Sequence, residues 1–336
     1  MTFKVAVEAS DIEFPCEPGE TVLDAAERAG YSLPYSCRKG VCSTCEGDLL
    51  CGDVAIGSKD RVGPGSNLLF CQARPRSDIL IHPKRIQRRD PDARKTVTAK
   101  VYRIDRPVED VAILQLRFAA GIRVKFLAGQ YLRVKMADGD TRNFSMASPP
   151  HESDGVQLHV RRVSGGRFSE APLAALCKGD TLDVELPFGD FYLRPDSEKP
   201  MICLATGTGF APLKSIVEDL IKRGNQRPLH LYWGGRRRRD LYLADLPQKW
   251  AARADWFRFI PVLSEPDPDW NGATGLVHHA VLRDFADLSG RQVYACGNPG
   301  MIRQARRDFV STAGLHESDF FADPFVPSGN DPAIPG

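Results

Sequence analysis

The sequence predicts a multidomain protein of α+β and α/β class: a small sheet with one helix, then an antiparallel β-barrel, then a doubly wound parallel sheet. Three observations carry this. Up to about residue 88, short alternating runs broken by glycines surround a single helical stretch; from Thr96 to about Arg194 the chain is β-rich; from Lys199 onward apolar runs alternate with helical stretches. At 336 residues, with 42% hydrophobic and 26% charged residues, the chain is long enough for two or three compact domains.

Residues 1–88 begin with an alternating segment that reads as a half-buried strand. A turn at Pro18-Gly19 leads into a helix from Thr21 to Ala29 that ends at Gly30, with Thr21 and Asp24 forming a capping box. The apolar run from Asp78 to His82 closes this segment. Residues 83–95 are charged, carry two prolines and read as an exposed linker, with the domain boundary at 89–96. Within 97–196 the runs Val97–Ile104, Val111–Phe118, Gln130–Met136 and Val156–Val163 suit an antiparallel barrel. Within 197–328, strands are expected at Met201–Ala205, Leu229–Gly235, Phe257–Ser264 and Gln292–Gly297, and helices at Ser215–Lys222 and near His278–Phe285. Residues 329–336 read as a disordered tail.

Lys plus Arg number 45 against 43 Asp plus Glu, a net charge of +2, so nothing global argues for nucleic acid or an anionic membrane. No apolar stretch approaches the roughly 20 residues of a membrane span. The start of the chain lacks the basic and apolar segments of a signal peptide, and a cytoplasmic protein is expected.

The nine cysteines are unevenly spread. Cys37, Cys42 and Cys45 share one loop in C-x4-C-x2-C spacing, and Cys71 stands apart after Leu68-Leu69-Phe70. This is the plant-type ligand spacing of a 2Fe-2S cluster, in which each tetrahedral iron takes two thiolates beside two bridging sulfides. Gly40 permits a loop that wraps closely around the cluster, and Ser43 offers a hydroxyl donor. A structural zinc site is the competing reading, but zinc sites usually supply two pairs of closely spaced ligands. Cys16, Cys51, Cys177 and Cys203 read as core or incidental thiols.

In the barrel segment, Arg142-Asn143-Phe144-Ser145 follows the run Gln130–Met136. An Arg here can clamp a pyrophosphate, an aromatic can pack on a flavin, and a Ser can bond ribityl or phosphate oxygens. Further on, a strand through His159 and Val160 runs to Gly165-Gly166-Arg167-Phe168-Ser169, an arrangement that brings backbone N–H groups to a phosphate. In the last segment, Gly207-Thr208-Gly209 joins an apolar strand to a helix and offers a pyrophosphate the positive helix end. Cys296-Gly297-Asn298-Pro299 ends a later strand of the same sheet, at the edge where open α/β sheets bind ligands. The basic run from Arg236 to Arg239 follows the strand where an adenosine ribose is expected; it can hold the 2′-phosphate of NADPH or be a solvated turn, and the choice of NADH or NADPH stays open.

The order of these motifs resembles the ferredoxin-NADP reductase superfamily, whose barrel carries R-x-Y-S and G-G-x-x-S. Phe144 stands where that family usually has Tyr, which keeps the ring and loses the hydroxyl. The resemblance implies a β-grasp 2Fe-2S ferredoxin domain, an FAD-binding barrel (FAD in preference to FMN) and an NAD(P)H-binding domain. It also implies that Cys296 lies beside the nicotinamide C4 as a positioning residue and that Phe325 covers the flavin.

The whole chain is similar to electron-transfer components of bacterial aromatic ring-hydroxylating oxygenases, notably at Leu33–Gly40, Ser148–Gly155 and Gly207–Lys214. That similarity implies hydride transfer from NAD(P)H to FAD and delivery of single electrons through the 2Fe-2S cluster to a terminal Rieske non-haem iron dioxygenase. Reductases serving sugar deoxygenation, such as CDP-6-deoxyglucoseen reductase, share the architecture and form a second reading. A pure electron carrier with a degenerate reductase half is a third, against which the intact Gly207–Gly209 and Cys296–Pro299 motifs argue.

Overall fold

The structure, a computed structural model, describes residues 2–326 and divides into two compact units, one up to Ala93 and one from Arg94 onward. The tail expected at 329–336 lies outside the described residues.

The first unit is built on a five-stranded mixed sheet in the order Glu13–Cys16, Phe3–Val7, Ile79–Pro83, Glu46–Cys51, Ser66–Leu69. Phe3–Val7 pairs antiparallel with Glu13–Cys16 and parallel with Ile79–Pro83, and its alternation puts Val5 and Val7 in the core. Helix α1 (Val22–Arg28) begins as its sequence dictates: Thr21 Oγ1 accepts the Asp24 N–H at 3.1 Å and donates to the Asp24 carboxylate at 2.6 Å. Val22, Leu23, Ala25 and Ala26 are its buried face, and Gly30, at φ +83°, takes the left-handed turn that ends it. One helix packed on a mixed sheet is the β-grasp arrangement. Part of the expected linker is not free: Gln87–Arg88 pairs with Tyr31–Ser32, and the Arg89 N–H donates to the Gly30 carbonyl. Two paired residues are too few for any periodicity to show.

The second unit opens with six antiparallel strands in the order Thr141–Ser145, Tyr131–Lys135, Thr181–Phe188, Lys95–Val108, Val111–Arg117, Gly155–Arg161. A bridge between Met146 and Leu158 joins the two ends and closes the barrel. Its interior holds Val101, Leu114, Leu116, Leu132, Val134, Leu158 and Val184. Lys95–Val108 starts just before the expected barrel start at 97, and the short helix α2 (Ala171–Ala175) interrupts the strands.

The rest of this unit is a six-stranded, wholly parallel sheet ordered Ala273–Thr274, Phe257–Leu263, Leu229–Gly235, Met201–Thr206, Gln292–Gly297, Phe320–Pro324. The strand order reverses between Met201–Thr206 and Gln292–Gly297, so their carboxyl ends form the crevice at which such sheets bind ligands. Helices α3 (Phe210–Arg223), α4 (Asp245–Ala251), α5 (Val277–Asp284) and α6 (Pro299–Ala313) cross between strands. α3 is bolted to the barrel: Ser215 Oγ donates to the Ser148 carbonyl at 2.7 Å and Lys214 Nζ to the Ala147 carbonyl at 3.2 Å. Val111, Ile113, Ala128 and Phe191 from the barrel side share one core with Phe210, Leu213 and Trp233. Among the described residues, no helix is long and apolar enough to cross a membrane.

Candidate redox site

The cysteine loop is shaped by backbone conformation. Arg38, Gly40 and Ser43 have φ of +54°, +72° and +57°, so the chain coils back on itself between Cys37 and Cys45. Cys37, Cys42, Cys45 and Cys71 are all buried. They fall into two pairs. The Sγ atoms of Cys37 and Cys42 are 3.3 Å apart, and Cys45 and Cys71 hydrogen-bond to each other. The Cys37 thiol holds Cys42 down to about 5, helped by the backbone N–H of Cys37 and the Thr44 hydroxyl; the Cys45 thiol lowers Cys71 in the same way. The Lys39 N–H points at Cys37 Sγ at 3.3 Å, and Gln72 Nε2 at Cys71 Sγ at 3.6 Å. Two buried thiol pairs ringed by N–H donors fit a 2Fe-2S cluster, which takes two thiolates per iron and is tuned by hydrogen bonds to sulfur.

In the barrel, the two flavin-type motifs converge. Arg142 Nη1 and Arg167 Nη1 both donate to Asp140 Oδ2, at 2.7 and 2.6 Å, and the Phe144 and Phe168 rings stand 5.1 Å apart. Arg142 Nε is buried with no hydrogen-bond partner, so this paired guanidinium cradle has donor capacity left for an anion. Gly165 is left-handed at φ +73°, and a Cβ on Gly166 would lie 2.2 Å from Ser169 Oγ, which accepts the Val163 N–H. Asn143, on the strand Thr141–Ser145 between Arg142 and Phe144, is exposed. The site fits a flavin pyrophosphate.

At the switch point of the parallel sheet two turns interlock. A Cβ on Gly209 would lie 2.3 Å from the Cys296 carbonyl oxygen, and one on Gly297 2.4 Å from Thr206 Oγ1, so both positions need glycine. The Asn298 N–H donates to Thr206 Oγ1 at 2.8 Å, and the Asn298 side chain caps α6, with Pro299 in its first turn. Gly207 faces the Arg161 guanidinium, whose Nη2 is buried without a partner, and Thr208 is buried. These donors fit a dinucleotide phosphate. Cys296 is fully buried and its Sγ donates to the Asp323 carbonyl at 3.1 Å; burial, then the Asp323 charge, holds the thiol far above its ordinary range. Phe325 is partly buried one residue beyond the last strand, its N–H bonded to the Gly297 carbonyl at 2.8 Å.

Comparison with known proteins matches the same three regions. A 2Fe-2S iron-sulfur cluster binding domain matches residues 5–76, an oxidoreductase FAD-binding domain 98–192, and an oxidoreductase NAD-binding domain 202–307. The chain is 45% identical to reductase component 2 of terephthalate 1,2-dioxygenase from Comamonas sp., over 98% of this chain and 100% of the relative. The chain belongs to this family of iron-sulfur flavoprotein reductases. It is also 38% identical to the CDP-6-deoxy-L-threo-D-glycero-4-hexulose-3-dehydrase reductase of Yersinia pseudotuberculosis, over 98% of the chain and 100% of the relative. Among solved structures, the Amycolatopsis cytochrome P450 reductase superposes with a TM-score of 0.76 at 30% identity, covering 97% of this chain and 99% of that one.

Not every residue singled out from the reductase's sequence meets the others through its side chain. Val160 points into the barrel core. His159 is buried, with Nδ1 2.8 Å from the Tyr242 hydroxyl and Nε2 3.0 Å from Gln157 Oε1; burial, then Lys214, takes it down to about 3. Arg236 is exposed, and its N–H donates to Asp240 Oδ2 at 2.8 Å. Arg38, within the cluster loop, pairs with Asp24 at 2.6 Å and with Glu27, and stacks 4.2 Å over Tyr35.

Three residues of the reductase escape sequence reasoning. Asp323 accepts the Ser145 hydroxyl at 3.3 Å and is buried; Arg161 stands beside Gly207; Asp140 joins Arg142 to Arg167. The one signal for Asp323 is an acid within the apolar run Phe320–Phe325.

Proposed function

We propose that this reductase takes hydride from NADH or NADPH onto FAD and delivers single electrons through its 2Fe-2S cluster to a terminal Rieske non-haem iron aromatic dioxygenase of the terephthalate 1,2-dioxygenase kind. The observation that carries the reading is the end-to-end likeness to the Comamonas reductase component. In this reading residues 1–88 form the ferredoxin domain, 97–196 the flavin barrel and 197–328 the nucleotide domain, with 89–96 between the first two. The cytoplasm is its setting.

Cys37, Cys42, Cys45 and Cys71 are the cluster ligands, supported by their burial and pairing. Arg142 and Arg167 clamp the flavin pyrophosphate, with Asn143, Ser145, Gly165, Gly166 and Ser169 supplying hydrogen bonds and close approach. Phe144 and Phe168 provide apolar packing, and the strand edge at His159 and Val160 offers main-chain groups. Gly207, Thr208, Gly209, Gly297, Asn298 and Pro299 form the nucleotide crevice, with Arg236 at its ribose end. Cys296, held as a thiol, and Phe325 position the ring and keep water from it.

A second reading, service to a sugar 3-dehydrase, rests on the likeness to the Yersinia reductase. The deciding experiment is anaerobic reduction of purified protein by NADH and then NADPH, followed by coupling to a purified terephthalate dioxygenase oxygenase component and to a purified hexulose dehydrase. Aromatic dihydroxylation with the first alone supports the proposal. Turnover with the dehydrase alone replaces it with the second reading.

A further inference from the structure

Away from the electron path, three side chains meet between α5 and α6. His278 and His279 lie in the first turn of α5 and Asp308 on α6, and one ligand atom from each lies within 4.8 Å of the others. His278 is 2% exposed, and neither of its ring nitrogens has a hydrogen-bond partner. Its Nε2 stands 3.6 Å from Asp308 Oδ2, and the His279 ring lies 4.3 Å from its own. Buried polar atoms are nearly always bonded, so an imidazole buried with both nitrogens open signals a partner of another kind.

The carboxylate is set for one. Gln304 Nε2 donates to both oxygens of Asp308, at 2.9 and 2.8 Å, which fixes its orientation and leaves lone pairs free. Arg307 also reaches Asp308, at 3.4 Å, but its side chain is 71% exposed and can swing into water.

We propose that His278, His279 and Asp308 form a binding site for a divalent transition-metal ion of the zinc class. Two imidazole nitrogens and one carboxylate oxygen suit zinc and its neighbours, whereas magnesium and calcium require oxygen ligands throughout. Three protein ligands leave a fourth position for water, and exposed His279 provides the way in. The ion joins α5 to α6. Val277, next to His278, packs against Gly234, and α6 starts at Pro299, straight after Cys296-Gly297-Asn298, so the metal braces the two helices that flank the nucleotide crevice.

The test is equilibrium dialysis of the holoprotein, cluster and flavin loaded, against zinc, with metal analysis of wild type, His279→Ala and Asp308→Asn. His279 is exposed and Asp308 partly so, and both variants are expected to fold with unchanged iron and flavin content. The wild type should retain about one zinc per chain more than either variant, and zinc should raise its melting temperature alone, as expected of a ligand that binds only the folded state. In the oxidised wild type, copper(II) should show imidazole nitrogen coupling by EPR, which His279→Ala weakens. Equal zinc retention by wild type and His279→Ala overturns the site, and full retention by Asp308→Asn removes the carboxylate from it.

Discussion

Ser145, on a barrel strand, donates a hydrogen bond to Asp323 Oδ2 at 3.3 Å across 178 residues of sequence. The main-chain carbonyl of the same aspartate accepts the Cys296 thiol at 3.1 Å. Asp323 therefore links the serine of the flavin motif to the cysteine of the nicotinamide motif. Asp323→Asn keeps the shape and removes the charge. It should retain FAD but slow single-turnover flavin reduction by roughly 10- to 100-fold, the usual scale for misplaced reacting groups. Stopped-flow bleaching measures this, and a wild-type rate assigns the contact to structure alone.

Cys296 is held as a neutral thiol by burial, so its removal acts through packing and not through a lost thiolate. Cys296→Ala should bind FAD normally and reduce it more slowly. Across about pH 6–9 the wild-type rate should show no limb from this thiol, because its titration lies above that window. At about pH 8, iodoacetamide followed by mass spectrometry should label exposed Cys51 and Cys177 and spare Cys296. Early labelling of Cys296 contradicts the burial argument.

Cys71→Ser removes one sulfur from the Cys45–Cys71 pair. The purified variant should lose the visible cluster absorption and its iron, while NAD(P)H-driven ferricyanide reduction at the flavin continues. Iron content and EPR of the reduced protein check this. A full-strength 2Fe-2S signal removes Cys71 from the ligand set.

Both the fold and the local motifs were legible in the sequence, because each rests on short-range pattern. The C-x4-C-x2-C loop, the two glycine turns and the alternating strands are all written within a few residues. Convergence was not. Cys71 reaches the loop because Ser66–Leu69 pairs with Glu46–Cys51, and Asp140 unites Arg142 with Arg167 only once the barrel closes. The sequence reading takes Cys296–Pro299 as the end of a strand and places no helix after it, although Asn298-Pro299 and Gly314, at φ +67°, mark the two ends of α6. Asp323 shows in the sequence only as an acid within the apolar run Phe320–Phe325; its burial and its distant partner Ser145 give it a role.

Gly166 has no room for a side chain: its Cβ would fall 2.2 Å from Ser169 Oγ and 2.8 Å from the Val163 carbonyl. Gly166→Ala must push this turn open, and in the proposed reading the turn holds the flavin phosphate. The purified variant should contain substoichiometric FAD and a full 2Fe-2S cluster, read from the flavin-to-iron ratio, with partial rescue by excess FAD. A normal ratio argues that the turn does not touch the flavin.

His159 carries an acid-stability prediction. Burial first, and the nearby Lys214 charge second, take its folded-state value from 6.5 to about 3. A depressed histidine is neutral when folded and protonated when unfolded at mildly acid pH, so the unfolded state binds the extra proton. The contribution to stability is therefore fully present above about pH 6.5 and is lost as pH falls toward about 3. At pH 5 the loss is about 2 kcal/mol, from 1.36 kcal/mol per unit over the interval below 6.5. His159→Gln removes the titrating group while leaving an amide for Tyr242, so it should be less stable than wild type at pH 7.5 yet lose less on acidification. Melting temperatures of both proteins at pH 7.5 and pH 5 test this: the acid-induced drop should be smaller in the variant by roughly 4 °C or more. Equal drops imply that His159 does not take up a proton on unfolding at pH 5 and overturn its part in the acid sensitivity.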